Sequence, residues 1–301
     1  MGEIELRDLY DGHIYHVCTN GTDCPVLMRC LEDYHVAINY SAVSAWRTSV
    51  QIAAYSIMSN HFHFLILCEA RQQAQCFIKR FKQLISTYLL KKYAFKSSMK
   101  GVSDSITLID DVNYLRTCIA YILRNPVCAR LCKAIDEYPW SSYACYFRDV
   151  NSSVSNLMLS ELSARERRRL LKIDGDLAGC SFRIDEMGVI IPQSFVRYDI
   201  VESAFGNSGK SFLYYLGHCN DSQMEYDLAV KPQMRTVDAD LVCQVDALCH
   251  KYFPGKTLAQ LSTSNKTSMV KKLYYTNKTS IPQLSRVLGI PKSLVFTILS
   301  N

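Results

Sequence analysis

The first half of the sequence predicts an α+β fold, and the second half predicts a mainly helical region. Segments with strand and helix periodicity follow one another in the order strand, helix, strand, strand, helix, short strand, helix. This order is typical of an antiparallel sheet with helices packed on one face. With 301 residues, the chain is long enough for roughly two domains.

The predicted elements lie close together along the first 126 residues. They are, in order, a strand over 13–19, a helix over 25–45, strands over 50–58 and 62–67, a helix over 71–93, a short edge strand over 106–109 and a helix over 112–124. Ser59 and Asn60 predict a tight turn, so the two middle strands form a hairpin. Pro126 disfavours helical geometry at Asn125, which predicts the end of the last helix there.

Beyond this region, the composition shifts to serine and asparagine over residues 141–163 and predicts a domain edge near Asn151. We predict three parts: a domain over 1–150, a linker and small α/β segment over 151–235, and a helical module over 236–301. A small hairpin is predicted over 182–191, within the second part. Residues 280–299 follow a helix-turn-helix pattern, with Gly289 in the turn. Lys292 and Ser293 would then face a DNA major groove. The alternative is an ordinary helical hairpin.

The composition is that of a globular protein, with 49% hydrophobic and 21% charged residues. Apolar runs are too short for a membrane helix, and the N-terminus is too polar for a signal peptide. The 13 cysteines include no Cys-x-x-Cys pair, which favours reduced thiols. We therefore expect a cytoplasmic protein without a membrane partner.

Basic residues are concentrated on the predicted helix over 71–93. They lie largely off its apolar stripe and are Lys79, Arg80, Lys82, Lys91 and Lys92. The formal charge of +6 permits a nucleic-acid partner without requiring one. This helix is a candidate surface for the DNA backbone, and a solvated helix face is the alternative.

Two histidines stand one residue apart in the apolar segment that follows the predicted turn. Because side chains alternate along a strand, His61 and His63 would share one face. Two adjacent imidazoles can begin a metal site, although a histidine pair alone is more often an ordinary feature of a strand.

The helix over 112–124 provides the groups that a histidine pair lacks. Tyr121 and Asn125 are one turn apart and share a helix face. The Asn125 amide oxygen can bind a hard cation, so it completes a three-ligand site with His61 and His63 that suits Mg²⁺ or Mn²⁺. Taken alone, Tyr121 would be read as a half-buried helix tyrosine.

Three motifs carry a family resemblance. Residues 58–65 (MSNHFHFL), 120–127 (AYILRNPV) and 137–143 (EYPWSSY) resemble the REP-associated tyrosine transposases of the single-tyrosine HUH superfamily. The resemblance covers about residues 10–145. It implies a ferredoxin-like antiparallel sheet with the histidines on a central strand and the tyrosine on a facing helix.

The resemblance also implies a reaction. His61, His63 and Asn125 match the metal ligands, and Tyr121 matches the nucleophile that forms a 5′-phosphotyrosine. The substrate would be single-stranded DNA beside a hairpin, cleaved and rejoined with Mg²⁺ or Mn²⁺. Relatives include monomers and dimers, so a homodimer stays open. A loose phosphate-loop pattern over 204–211 follows a predicted helix instead of a strand, so we expect no nucleotide cofactor.

Two other functions compete with this one. The first is a non-catalytic DNA-binding protein derived from such a transposase, and the second is a metal-dependent single-strand nuclease. The sequence departs from the family at Cys128-Ala129-Arg130, where Arg-Ala-Gly is common, and over 95–100. The intact metal and nucleophile positions favour an active enzyme.

Overall fold

A computed structural model describes residues 4–21, 24–94, 99, 101–148, 157–173, 177, 179–219, 238–277, 279 and 281–300. Its four strands are β1 (His13–Thr19), β2 (Gln51–Ile57), β3 (Phe62–Cys68) and β4 (Asp104–Ile109). They form an antiparallel sheet in the order β2-β3-β1-β4. The predicted antiparallel sheet is confirmed, and its strand order is that of a ferredoxin-like fold.

The helices of the N-terminal part are α1 (Leu6–Leu9), α2 (Leu31–Arg47), α3 (Arg71–Tyr93) and α4 (Val112–Cys128). They are followed by α5 (Ala164–Leu171), α6 (Tyr198–Ala204) and α7 (Gly209–His218). The C-terminal helices are α8 (Asp238–Tyr252), α9 (Thr263–Ser268), α10 (Val270–Asn277), α11 (Ile281–Leu288) and α12 (Lys292–Ser300). Among the described helices, none is both long enough and apolar enough to cross a membrane.

The helices cover both faces of the sheet, so the prediction of a single helical face is wrong. On one face, Phe62 and Phe64 of β3 pack edge-on against Phe81 of α3. Because side chains alternate along a strand, His63 points to the other face, where it meets Tyr121 of α4. The buried helix α4 therefore completes a three-layer arrangement.

The start of helix α2 differs from the prediction because hydrogen bonds to a distant residue decide it, whereas strand β3 begins at the predicted residue. Helix α2 begins at Leu31 instead of residue 25, since the backbone N–H groups of Leu27 and Met28 donate to the carbonyl of Ser59, at 2.8 and 2.9 Å. Strand β3 begins at Phe62, so His61 lies in the turn just before it. There the His61 carbonyl accepts from the N–H of Met58 at 2.9 Å.

Helix α4 continues past Pro126, so the predicted helix end at Asn125 is also wrong. The N–H of Ala129 donates to the carbonyl of Asn125 at 2.9 Å and keeps the last turn helical. The helix begins at an Asp111 N-cap, whose side chain accepts from the backbone N–H of Tyr114. Asn125 therefore extends from the body of a buried helix and not from its end.

The third sequence motif covers the free edge of β2. The carbonyl of Trp140 accepts from the N–H of Ile57 at 2.9 Å, and the Tyr138 hydroxyl donates to the Ile57 carbonyl at 2.8 Å. The Ser142 hydroxyl accepts from the N–H of Tyr55 at 2.9 Å. An uncovered edge strand would expose unpaired backbone groups, so this motif has a clear structural role.

Two hydrophobic clusters organise the described residues. The larger one contains the sheet, and it also includes Leu159, Ile190 and Leu216 from the segment after the predicted domain edge. The second is formed by the C-terminal helices and also includes Val26. The predicted boundaries at 150/151 and 235/236, as well as Ser280, lie outside the described residues, and the three-part division stays a prediction.

The structure describes two predicted features of the second half of the chain, the hairpin over 182–191 and the turn at Gly289. Residues 182–191 form a single antiparallel bridge, Ile184 to Ile190, rather than two strands. Helices α11 and α12 flank Gly289, whose φ is +64°. A positive φ is readily adopted by glycine, so the predicted turn lies at this residue. A DNA-binding role for these two helices stays a prediction.

Candidate functional site

The folded chain brings His61, His63 and Asn125 together. The Nε2 atom of His61 lies 3.3 Å from Oδ1 of Asn125, and the Nε2 atom of His63 lies 3.3 Å from Nδ2 of the same amide. The two imidazole planes are nearly perpendicular, with ring centroids 5.0 Å apart. Both imidazoles therefore direct the same ring nitrogen towards one amide group.

The side chain of Asn60 fixes the orientation of His61 by contacting Nδ1, the ring nitrogen that does not face Asn125. The Asn60 side chain donates from Nδ2 to the carbonyl of Gly21 at 2.8 Å, which directs its Oδ1 towards Nδ1 of His61, also at 2.8 Å. For His61 to bind a cation through Nε2, its Nδ1–H must donate to this oxygen, which leaves the Nε2 lone pair directed at the Asn125 oxygen. A carboxamide or carboxylate behind a ligand histidine is a common way of selecting its tautomer.

The second histidine contacts a residue to which the sequence analysis assigned no role. His16 lies on β1, and its Nε2 is 3.2 Å from Nδ1 of His63. Cys18, on the same face of β1, pairs with His63 across the strands. The period-two spacing of His16 and Cys18 was visible in the sequence, but the register that places them beside His63 was not.

Tyr121 lies on α4 with its ring edge-on to His63, at a centroid distance of 5.3 Å and an interplanar angle of 88°. The ring of His16 is 6.1 Å away, also edge-on. Tyr121 and Asn125 are each 5% exposed, and His61 and His63 are 3% and 1% exposed. The four predicted site residues thus form one closed cluster between the sheet and α4.

Residues 31–103 match the family model described as "Transposase IS200 like". This match confirms the resemblance to transposases predicted from the motifs. The matched range holds β2, β3, α3 and both histidines, while Tyr121 and Asn125 lie beyond it. We refer to the sheet with α2, α3 and α4 as the transposase-like domain.

One solved structure also resembles the chain. It is a REP-associated tyrosine transposase bound to a REP hairpin, with 15% sequence identity and a TM-score of 0.36 over 48% of this chain and 81% of that one. Among curated protein sequences, none matches this chain.

Burial keeps His16, His61 and His63 neutral at pH 7. Desolvation lowers the pKa of His61 and of His16 to about 4 each, and it lowers the pKa of His63 well below its usual value. A neutral imidazole has a lone pair for a metal and no proton to lose first. Arg286 and Asp238 of the C-terminal helices also act on the pKa of His61, in opposite directions.

The donor set fits a divalent cation. Donor atoms at right angles around an ion with bonds of about 2.1 Å are about 3 Å apart, close to the 3.3 Å between His61 Nε2 and Asn125 Oδ1. Two neutral imidazoles and one amide oxygen suit first-row ions such as Mn²⁺ and, with phosphate oxygens, Mg²⁺.

The predicted DNA-binding residues fall into two groups. Lys82 pairs with Asp104, and Lys92 pairs with Glu32 and the buried Asp33, so the charges of both lysines are balanced within the chain. The exposed or partly exposed positions are Lys79, Arg80, Lys91, Lys292 and Ser293. Because α3 lies on the sheet face opposite α4, its lysines do not converge on the histidine cluster.

Proposed function

We propose that this protein is a DNA strand transferase that cleaves and rejoins single-stranded DNA beside hairpins through a 5′-phosphotyrosine. The observation that carries this proposal is the convergence of His61, His63 and Asn125 next to Tyr121. The match to a transposase family supports the same class of reaction.

Each of these side chains has a definite task in this reaction. His61, His63 and Asn125 would hold a divalent cation, which when bound polarises the scissile phosphate and stabilises the leaving 3′ oxygen. Tyr121 attacks phosphorus as its phenol loses a proton. The Tyr–O–P bond forms, the P–O3′ bond breaks and the 3′ oxygen takes up a proton.

The covalent step divides strand transfer into two similar displacements. A second 3′-hydroxyl attacks the phosphotyrosine, which restores the phosphodiester and releases the phenol. Because the cluster is closed, a phosphodiester can reach Tyr121 only after a local opening. Candidate contacts for the strand are the exposed Lys79 and Lys91 and, in the C-terminal module, Lys292 and Ser293.

A covalent adduct assay tests the proposal. Labelled single strands carrying a hairpin are incubated with Mn²⁺ and the wild-type protein, Tyr121→Phe or Tyr114→Phe, and resolved by denaturing electrophoresis. Tyr114 lies two turns earlier on α4 and is the matched control. We expect an adduct with wild type and Tyr114→Phe and none with Tyr121→Phe.

Other outcomes would favour the competing functions. Cleavage without an adduct would identify a metal-dependent nuclease, and binding without cleavage would identify a non-catalytic DNA-binding protein. Loss of the adduct in Tyr114→Phe but not in Tyr121→Phe would move the nucleophile to Tyr114.

A further inference from the structure

The contact between His16 and His63 has a chemical consequence for the proposed metal site. The two rings are nearly parallel, with an interplanar angle of 15° and centroids 5.4 Å apart. The Nε2 atom of His16 lies 3.2 Å from Nδ1 of His63, and both residues are buried. Two neutral imidazoles can make this hydrogen bond only if one nitrogen carries a proton and the other a lone pair.

The neighbouring amide decides between the two arrangements. If Nε2–H of His16 donated, His63 would carry its own proton on Nε2, which would then face the Nδ2 donor of Asn125 at 3.3 Å. Two donors would oppose each other, and no lone pair would be available for a cation. If Nδ1–H of His63 donates to His16, the Nε2 lone pair of His63 accepts from Nδ2 of Asn125. The Nε2 lone pair of His61 and Oδ1 of Asn125 then face each other at 3.3 Å with no proton between them, a repulsion that a bound cation would relieve.

We propose that His16 is a positioning residue that holds His63 in the Nδ1–H tautomer, with its Nε2 lone pair directed into the site. This inference rests on the proposed function, since it assigns His63 as a ligand. Asn60 has the same relation to His61, through an oxygen 2.8 Å from Nδ1. Each ligand histidine is therefore held from behind by a different acceptor, one from the turn and one from β1.

The alternative role for His16 is that of a ligand. The donor atoms of His16, Cys18 and His63 lie within 4.8 Å of one another. Two imidazoles and a thiol would suit a soft ion such as Zn²⁺ better than Mg²⁺. In that arrangement metal affinity would depend on Cys18 as much as on His16. A positioning role for His16 does not require the thiol.

Imidazole nitrogen shifts of the full-length, metal-free protein test the tautomer directly. We expect the ¹⁵N spectrum of the wild type to show His63 with a protonated Nδ1. His16→Gln offers an acceptor at a similar distance and should retain this tautomer, while His16→Leu should lose it. A wild-type His63 protonated on Nε2 would overturn the proposal without any variant.

Metal affinity supplies the second readout. Titration with Mn²⁺ should show about 10- to 100-fold weaker binding for His16→Leu, the usual effect of losing a group behind a ligand. His16→Gln should bind within about threefold of wild type and Cys18→Ala should bind like wild type. Thermal melts of each variant separate this loss from unfolding.

Two results would contradict the proposal. Unchanged Mn²⁺ affinity and an unchanged His63 tautomer in a folded His16→Leu variant would remove any positioning role. Equal losses of Mn²⁺ affinity in Cys18→Ala and His16→Leu would make His16 a ligand, because a positioning role does not require the thiol. Because neither readout uses DNA, a wild type with the expected tautomer that forms no adduct would contradict only the proposed reaction.

Discussion

Adding a single methyl group at Gly21 should displace His61 and so disturb the proposed metal site. A Cβ atom added there would lie 2.7 Å from Nδ1 and 2.9 Å from Cγ of His61. Its backbone φ is not in the left-handed region, so alanine meets no backbone strain and only the side-chain contact changes. Gly21→Ala is therefore a direct test of whether the placement of His61 matters.

The displacement can be worked out from these contacts. Ordinary contacts begin near 3.4 Å, so the imidazole must retreat by about 0.7 Å, more than the roughly 0.2 Å tolerance of a metal–ligand distance. The same movement strains the Asn60 hydrogen bonds to Gly21 and His61. We expect Mn²⁺ affinity to fall about 10- to 100-fold, or about 1.4 to 2.7 kcal/mol, and adduct formation to fall with it.

Calorimetric titration with Mn²⁺ and the adduct assay measure the effect. Gly217→Ala is the matched control, because a Cβ there meets nothing within 4 Å and the residue lies in helix α7. It should leave metal binding unchanged and raise the free energy of unfolding by up to about 1 kcal/mol. Wild-type Mn²⁺ affinity in a folded Gly21→Ala protein would refute the assignment of His61 as a ligand.

Three further outcomes are expected. Burial lowers the pKa of His16 and of His61 to about 4 and lowers the pKa of His63 well below its usual value. The unfolded chain, with histidine pKa values near 6.5, therefore takes up more protons than the folded chain. The unfolding free energy of the metal-free protein should therefore fall as the pH drops from about 6.5 towards 4, by up to about 1.4 kcal/mol per pH unit for each histidine. Urea titrations that show the same unfolding free energy across this pH range would contradict the burial of these histidines as neutral groups. Lys79→Ala should reduce the salt slope of single-strand binding by about 0.7, measured by fluorescence anisotropy, whereas Lys82→Ala should not, because Lys82 is already paired. Asp238→Asn removes the buried carboxylate that pairs with the partly buried Arg286 guanidinium and should cost about 3 kcal/mol in urea unfolding. The exposed Asp240→Asn should cost under about 0.5 kcal/mol.

The elements of the sheet could be predicted because they depend on local patterns. Alternating apolar residues indicated the strands, and the stripe containing Phe77 and Phe81 indicated α3. The start of α2 could not be predicted, because Leu27 and Met28 donate their N–H groups to Ser59, more than thirty residues away. The helical periodicity of residues 25–45 gives no indication of these hydrogen bonds.

The sequence by itself determined the residue types of the site. His61, His63 and Asn125 stood out because their spacing and chemistry suit a divalent cation. The family resemblance, and not spacing, indicated Tyr121 as the nucleophile. Only the tertiary structure decided that α4 packs on the face of the sheet opposite α3, so that both histidines meet one amide. The physical reason is that the pairing of β1 with β3 and the burial of α4 involve residues far apart in the chain.

The same reason explains why His16 had no assigned role. Its contact with Nδ1 of His63 depends on the register between β1 and β3, in which His16 lies opposite Leu65 and Cys18 lies opposite His63. A shift of one residue would turn His16 to the other face of the sheet. The sequence therefore determined which groups can carry out the chemistry, and the strand register decided which of them meet.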